Sequence, residues 1–136
     1  MRARLLLVAG GALLASGCSA IRLGGPPPAP PAQLAGRWSG FLEVEGQQIL
    51  GTLIVTQKGR DLGVTFTSNG LIESASGNGK VGGDGAVRME LEYTTQCAGQ
   101  IVLAGGTVAA NARLEGTVSA TDCTGNARGG FTFSRQ

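Results

Sequence analysis

The side chains that most often perform chemistry in proteins are sparse in this chain. Its 136 residues include three cysteines and no histidine. Without an imidazole, histidine bases, histidine metal ligands and Ser-His or Cys-His nucleophiles are all excluded. Cys97 and Cys123 also have no basic residue close in sequence that would activate a thiolate. The sequence therefore predicts no catalytic residue, no metal site and no cofactor, and we expect that the protein is not an enzyme.

Two pairs of carboxylates are the remaining candidates for catalysis or calcium binding. Glu43 with Glu45, and Glu90 with Glu92, are spaced to lie on one face of a β-strand. Paired carboxylates of this kind serve glycoside hydrolysis and also bind calcium. Arg88 shares the polar face of the second pair, so we interpret both pairs as solvated surface charge. A carboxylate hydrolase is therefore the weakest of three functional hypotheses.

Cys97 and Cys123 are predicted to form a disulfide, because paired cysteines in an oxidising compartment usually do so. The bond would close a loop of about 27 residues and stabilise the fold by about 3–4 kcal/mol in the chain-entropy treatment. Polar residues accompany both cysteines in segments that we expect to be loops. From them we predict the residues that bind a partner, which are Gln96, Asp122, Thr124 and Asn126.

These side chains must be positioned by β-strands. From residue 36 to residue 136, apolar and polar residues alternate and no helical period is present. The alternation is clearest over 86–94 and weakest over 71–76, where small residues predominate. Turn-forming residues separate the alternating segments, which gives a total of eight short strands.

Two hairpins are the most specific local predictions. One is expected to turn at 58–59, which sets Val55 opposite Leu62. The other is expected to turn at 111–112, with a β-bulge at the glycine pair 105–106. In the first hairpin inward residues meet inward residues, so its register is self-consistent.

Consecutive hairpins favour an all-β domain over 36–136, built as an eight-stranded antiparallel up-and-down barrel. Closure of the sheet would leave no exposed strand edge. It would also bring Trp38 of the first strand near Phe131 and Phe133 of the last. The inward side chains are numerous enough that we expect a filled interior. A two-sheet β-sandwich is the alternative architecture.

Successive turns of such a meander alternate between the two ends of the barrel. The chain enters at Ala35, so the turns at 58–59 and 111–112 share that end. The segments that carry the cysteines lie at the opposite end, where a disulfide would order the loops before a partner binds. A competing surface is an apolar patch on the outer wall, formed by Phe41, Leu50 and Ile54.

The beginning of the chain has the pattern of a secretory signal. Arg2 and Arg4 precede ten apolar residues at 5–14, a stretch too short to span a bilayer. We therefore expect a signal peptide at 1–17. The residue that follows is Cys18. One interpretation is that the signal peptide is an ordinary one and that this cysteine follows it by chance.

The end of this signal also has a more specific pattern. The small residues 15–17 immediately precede Cys18, and this junction resembles the lipobox of bacterial lipoproteins. The resemblance implies cleavage after Gly17 and acylation of Cys18, which then binds the lipid bilayer. Ser19 in the next position implies sorting to the outer membrane. We expect a lipid-anchored domain that faces the periplasm or the cell exterior.

A linker is expected at 18–35. All five prolines lie within 26–31, and such a run prefers extended polyproline II conformation. It could hold the domain up to roughly 50 Å from its lipid.

The net charge of the chain is small. The chain has 11 Lys and Arg and 9 Asp and Glu, and loss of Arg2 and Arg4 with the signal peptide brings the net charge near zero. Nucleic acid is therefore not an expected partner.

The first strand opens with Gly36, Arg37 and Trp38. A Gly-x-Trp opening is similar to lipocalin-like and avidin-like barrels, and to bacterial periplasmic protease-inhibitor barrels. The similarity covers about seven residues, and it implies a barrel without transferring any binding residue. Trp38 is interpreted as a core residue at the barrel seam.

The sequence favours one function over two others. The leading hypothesis is an outer-membrane lipoprotein whose barrel domain binds a protein or an envelope polymer, as an inhibitor-like or envelope module. The alternative is a lipocalin-like carrier of a small apolar ligand, which would require a hollow interior. The carboxylate hydrolase described above is the third.

Overall fold

The strands of this protein close on themselves. The computed structural model describes residues 30–69 and 72–136; the predicted signal peptide, Cys18 and most of the linker lie outside the described residues. The strands are β1 (Gly36–Val44), β2 (Gln47–Lys58), β3 (Asp61–Ser68), β4 (Ser74–Val81), β5 (Ala86–Thr94), β6 (Ala98–Val108), β7 (Arg113–Asp122) and β8 (Gly125–Arg135). Each pairs antiparallel with the next, and β8 pairs with β1, so the sheet is a closed eight-stranded barrel. The predicted barrel is confirmed, and the sandwich alternative is wrong.

Strand alternation fills most of the interior with apolar side chains. β5 shows the pattern best, because Val87, Met89, Leu91 and Tyr93 are buried while the residues between them are exposed. The largest fully buried side chains are Trp38, Phe66 and Phe133. Phe66 and Phe133 meet edge to face with ring centroids 6.1 Å apart, a favourable arrangement for aromatic pairs. The described residues contain no helix with the length and apolarity that crossing a membrane requires.

The seam between the first and last strands lies where the sequence predicted it. Gly40 pairs with Phe133, and Leu42 pairs with Phe131. Trp38 is fully buried at this seam, and the guanidinium of Arg135 lies 4.3 Å from its ring centroid. A cation over an indole face is an attractive contact, so the end of β8 is held onto β1 by both hydrogen bonds and this side-chain pair.

The last residues of the predicted linker close one end of the barrel. Leu34 is fully buried in the core, and its backbone oxygen accepts a hydrogen bond of 2.9 Å from Nε1 of Trp38. The amide of Gln57 binds the same segment: it accepts from the backbone N–H of Leu34 at 2.6 Å and donates to the carbonyl of Ala32 at 2.8 Å. Among the described residues, contact with the barrel core therefore begins at Ala32. We call the end of the barrel that this segment covers the closed end.

The β2–β3 hairpin turns one residue later than predicted. Val55 pairs with Val64 instead of Leu62, and the two turn residues are Gly59 and Arg60. Gly59 has a φ of +62°, as the first turn position of a type II′ hairpin requires. The partner strand has slipped by two residues, which leaves every side chain on its predicted face.

The β6–β7 hairpin also differs from the prediction. Its connection has four residues, 109–112, and its pairing runs without a break from Gln100↔Thr121 to Val108↔Arg113. The predicted bulge at 105–106 is therefore wrong. The turn has two more residues than predicted, and these shift the register of β6 against β7, so no extra residue within the ladder is needed. β4 is likewise displaced from the predicted 71–76, because it begins at Ser74. It continues to Val81 because the ladders of β3 and β5 pair with its glycine-rich part.

Candidate functional site

The end of the barrel opposite the closed end contains a cavity of about 500 Å³. We call it the mouth cavity. The walls are aliphatic and include Leu42, Ile49, Ile72, Ile101, Val118 and Ala120. The polar part of the lining includes Glu45, Gln47, Tyr93, Gln96, Asp122 and Thr124. Four of these aliphatic residues, Leu42, Ile49, Ile101 and Val118, are at most 7% exposed and form the buried floor of the cavity, whereas Ile72 and Ala120 are half-buried. The expectation of a filled interior is therefore met up to this floor, and the cavity lies above it.

A hydrogen-bonded network orders one side of the rim. The hydroxyl of Tyr93 donates to Oδ2 of Asp122 at 3.1 Å, which joins the end of β5 to the end of β7. Oδ1 of Asp122 accepts from the backbone N–H of Thr124 at 2.8 Å and from its hydroxyl at 2.5 Å. An Asp that binds the N–H two residues later is a common turn device, so the β7–β8 turn is built around this carboxylate.

The network shifts the acidity of both titrating groups. Burial raises the pKa of the Tyr93 phenol, and the hydrogen bond to Asp122 and the negative charge there raise it further. Hydrogen bonds from the hydroxyl and then the N–H of Thr124 lower the pKa of the Asp122 carboxyl. At neutral pH the rim therefore holds an ionised carboxylate beside a neutral phenol.

The predicted cysteine pair lies at this end of the barrel. The Sγ atoms of Cys97 and Cys123 are 2.02 Å apart and the Cα atoms 6.2 Å apart, which supports the predicted disulfide. Continued past its last pair, the β6–β7 register places Cys97 opposite Thr124, one residue from its partner. The two-residue turn predicted from the sequence would have left an offset of about three positions. The four-residue turn therefore makes the cross-link compatible with a regular ladder.

Gly99 makes room for the tyrosine of the rim. A Cβ added at this position would lie 2.3 Å from Cζ of Tyr93, far inside van der Waals contact. The absence of a side chain on β6 thus allows the ring to lie against the strand and the hydroxyl to reach β7. Tyr93 and Gly99 are paired in the β5–β6 ladder.

The structure gathers three of the four residues predicted to bind a partner. Gln96, Asp122 and Thr124 all line the mouth cavity. Asn126 does not; it is exposed on β8 and pairs with Thr121. Cys18 lies outside the described residues.

Sequence reasoning missed Tyr93, Glu45 and the aliphatic walls as parts of this site. The signal for Tyr93 was present, because an inward phenol at a strand end needs a hydrogen-bond partner. Glu45 was assigned to an outward face, but it occupies the β1–β2 turn together with Gly46, with φ of +50° and +78°. Its carboxylate accepts the backbone N–H of Arg128 at 3.2 Å, which ties this turn to β8.

The competing candidate surfaces lie elsewhere. Leu50 is 65% and Ile54 40% exposed on the outer wall, and Phe41, half-buried, pairs directly with Leu50. Glu90 is exposed and forms an ion pair with Arg88 at 3.3 Å, in keeping with solvated surface charge. Over 30–69 and 72–136, no three Cys, Asp or Glu residues are grouped so that they could hold a metal ion.

Comparisons with protein-family models, with curated proteins and with solved structures found no significant match to this chain.

Proposed function

We propose that this protein is a lipid-anchored binding protein whose barrel takes up a small apolar ligand at the mouth cavity. The observation that carries the proposal is the aliphatic lining of a cavity that opens at one end of an otherwise packed barrel. Small-molecule sites in proteins are typically concave, mostly apolar, and about 300–1,000 Å³ in volume. This cavity is within that range, and its few polar groups are collected at the rim.

Preorganisation supports the same proposal. The disulfide and the Tyr93–Asp122 hydrogen bond both join β5–β6 to β7–β8 at the rim. Loops that are already ordered lose little conformational entropy when a ligand binds. The rim can therefore be rigid although it lies at the open end of a small domain.

The lipid anchor is the second part of the proposal and rests on the lipobox resemblance at Cys18. Ala32 to Leu34 enter the barrel at the closed end, so an anchor upstream of them would be attached opposite the mouth cavity. Such a protein would sit in the outer membrane with its cavity open to the periplasm or the cell exterior. The variant Cys18→Ser is expected to lose fatty-acid labelling and to leave the membrane fraction; unchanged labelling contradicts the anchor.

The cavity is tested with an uncharged fluorescent probe whose emission increases in apolar surroundings. The full chain carrying Cys18→Ser is used because it has no acylation site. It can therefore be handled without detergent, which would compete for the probe. Ala120→Phe, which places a ring in the mouth cavity, is expected to abolish saturable uptake. Ala104→Phe is the matched control, since Ala104 faces outward on the neighbouring strand β6 and pairs with Thr117. Equal uptake by both variants contradicts the proposal.

A macromolecular partner is the second candidate function. Gln96 and Thr124 are exposed on the same rim, and Asn126 is exposed beside it, so a protein or an envelope polymer could contact all three. Replacement of these residues and Asp122 by Ala is expected to abolish capture of such a partner while the melting temperature changes little. Loss of capture on Phe41→Ser or Ile54→Ser instead would assign the partner to the outer wall.

A further inference from the structure

The charged residues that the structure places in the lining of the mouth cavity are all acidic. Two carboxylates, those of Glu45 and Asp122, belong to its lining. None of the described residues that line it is Lys or Arg, and the chain has no histidine. Arg128 lies on β8 close to the rim. Its neighbour Ala127 lines the cavity, and adjacent residues of a strand point to opposite faces, so Arg128 faces the outer wall.

The carboxylate of Asp122 is the better placed of the two. Thr124 and Tyr93 hold both of its oxygens by hydrogen bonds, so its position is set before any ligand arrives. Every group that holds it is a neutral donor. The ion pairs Lys80–Asp61, Arg88–Glu90 and Arg113–Glu115 do not include Asp122. An oriented negative charge thus borders an aliphatic cavity whose described lining contains no cation.

We infer that the ligand of the mouth cavity is a cationic amphiphile: an apolar body that fills the aliphatic walls and an amine that lies at the rim beside Asp122 and Glu45. This inference rests on the proposed function and adds the chemical class of the ligand. An ammonium group donates hydrogen bonds and carries the charge that the rim lacks. A carboxylate in the same place would meet like charge at short range.

The test compares three ligands that share one alkyl chain: octylamine, octanol and octanoate. Binding to the full chain carrying Cys18→Ser is measured by calorimetry at neutral pH and low salt. The rim is partly exposed to water, so octylamine is expected to bind roughly fivefold tighter than octanol. Octanoate is expected to bind more weakly than octanol. Added salt should reduce the preference for the amine and leave octanol unaffected.

Two variants locate the selectivity. Asp122→Asn is expected to remove most of the roughly fivefold preference for octylamine while octanol affinity is kept. Asp84→Asn is the matched control: it makes the same change of charge at the closed end, in the turn between β4 and β5. Glu45→Gln is a second rim variant, for use if Asp122→Asn lowers the melting temperature so far that binding cannot be measured.

The outcomes separate this inference from the proposed function. Saturable octanol binding with no preference for octylamine overturns the inference and leaves the proposed function standing, as does a preference for octanoate. Absence of binding by all three ligands overturns both. A preference for octylamine that Asp84→Asn removes as effectively as Asp122→Asn also overturns the inference, because general charge and not the rim would then be responsible.

Discussion

At the scale of single residues, the most informative group is Tyr93. It is the only tyrosine of the chain, it is 7% exposed, and its hydroxyl donates to the ionised carboxylate of Asp122. Burial, the hydrogen bond and the nearby charge all favour the neutral phenol. Its titration therefore reports directly on whether the rim network exists in solution.

The titration of Tyr93 is expected to be displaced to higher pH in the folded chain. The ultraviolet absorbance of tyrosinate should appear above the ordinary pKa of about 10 in the folded chain, and at about 10 once the chain is unfolded in urea. Because the folded pKa is the higher one, this group's contribution to stability is complete below pH 10 and is lost as pH rises through the folded pKa. Asp122→Asn should bring the folded pKa part of the way back, since burial remains. Titration of wild-type Tyr93 at its ordinary value contradicts the network.

The contribution of Asp122 to stability is expected to depend on pH in the opposite direction. Its pKa is lowered in the folded chain, so its contribution to stability is present above the ordinary Asp value and is lost as pH falls through the folded pKa. Thermal unfolding between neutral pH and pH 3 should therefore show a smaller acid-induced decrease in Tm for Asp122→Asn than for the wild type. An equal decrease would show that Thr124 does not hold the carboxylate in solution.

At the scale of strands and turns, the sequence predicts the fold better than the register. Alternation over β5 and over 131–133 of β8 assigns the inward faces, and closure follows from the run of hairpins. The β2–β3 register was missed because a slip of two residues moves no side chain to the other face. The mouth cavity was also not predicted, for a different reason. Alternation shows which residues point inward, but not whether those at one level of the barrel are long enough to meet.

The disulfide belongs to this scale because it joins the two hairpins that meet at the rim. A thiol reagent should not label the folded chain that carries Cys18→Ser until a reductant is added. Reduction should then lower the stability by about 3–4 kcal/mol in the chain-entropy treatment, seen as a lower midpoint of urea unfolding. Two freely reactive thiols in protein isolated from an oxidising compartment would contradict the pairing.

The segment before β1 is also an element of the fold, although its composition resembles a linker. Leu34→Ala should destabilise the full chain by about 2–4 kcal/mol, because it empties a fully buried site beside Trp38. Leu50→Ala is the matched control: Leu50 is 65% exposed on the outer wall, so the same deletion should cost under about 0.5 kcal/mol. Equal midpoints of urea unfolding for the two variants would show that Leu34 does not close the barrel.

At the scale of the whole molecule, the two ends of the barrel differ in kind. The closed end is packed with Leu34 and Trp38 and bound to the chain that leads toward Cys18. The opposite end is cross-linked, acidic at its rim and aliphatic within. Neither charge nor composition of the sequence as a whole indicates this division, because it arises only when eight strand ends are brought together.

The central claim is that an apolar ligand occupies the mouth cavity, and isoleucine methyl groups test it most directly. Ile49, Ile72 and Ile101 line the cavity, whereas Ile54 lies on the outer wall. With the isoleucine methyls of the full chain carrying Cys18→Ser labelled for NMR, octanol should shift the three cavity signals along one saturable curve and leave Ile54 in place. A saturable shift at Ile54 with no change at Ile49, Ile72 and Ile101 would contradict the claim and assign binding to the outer wall.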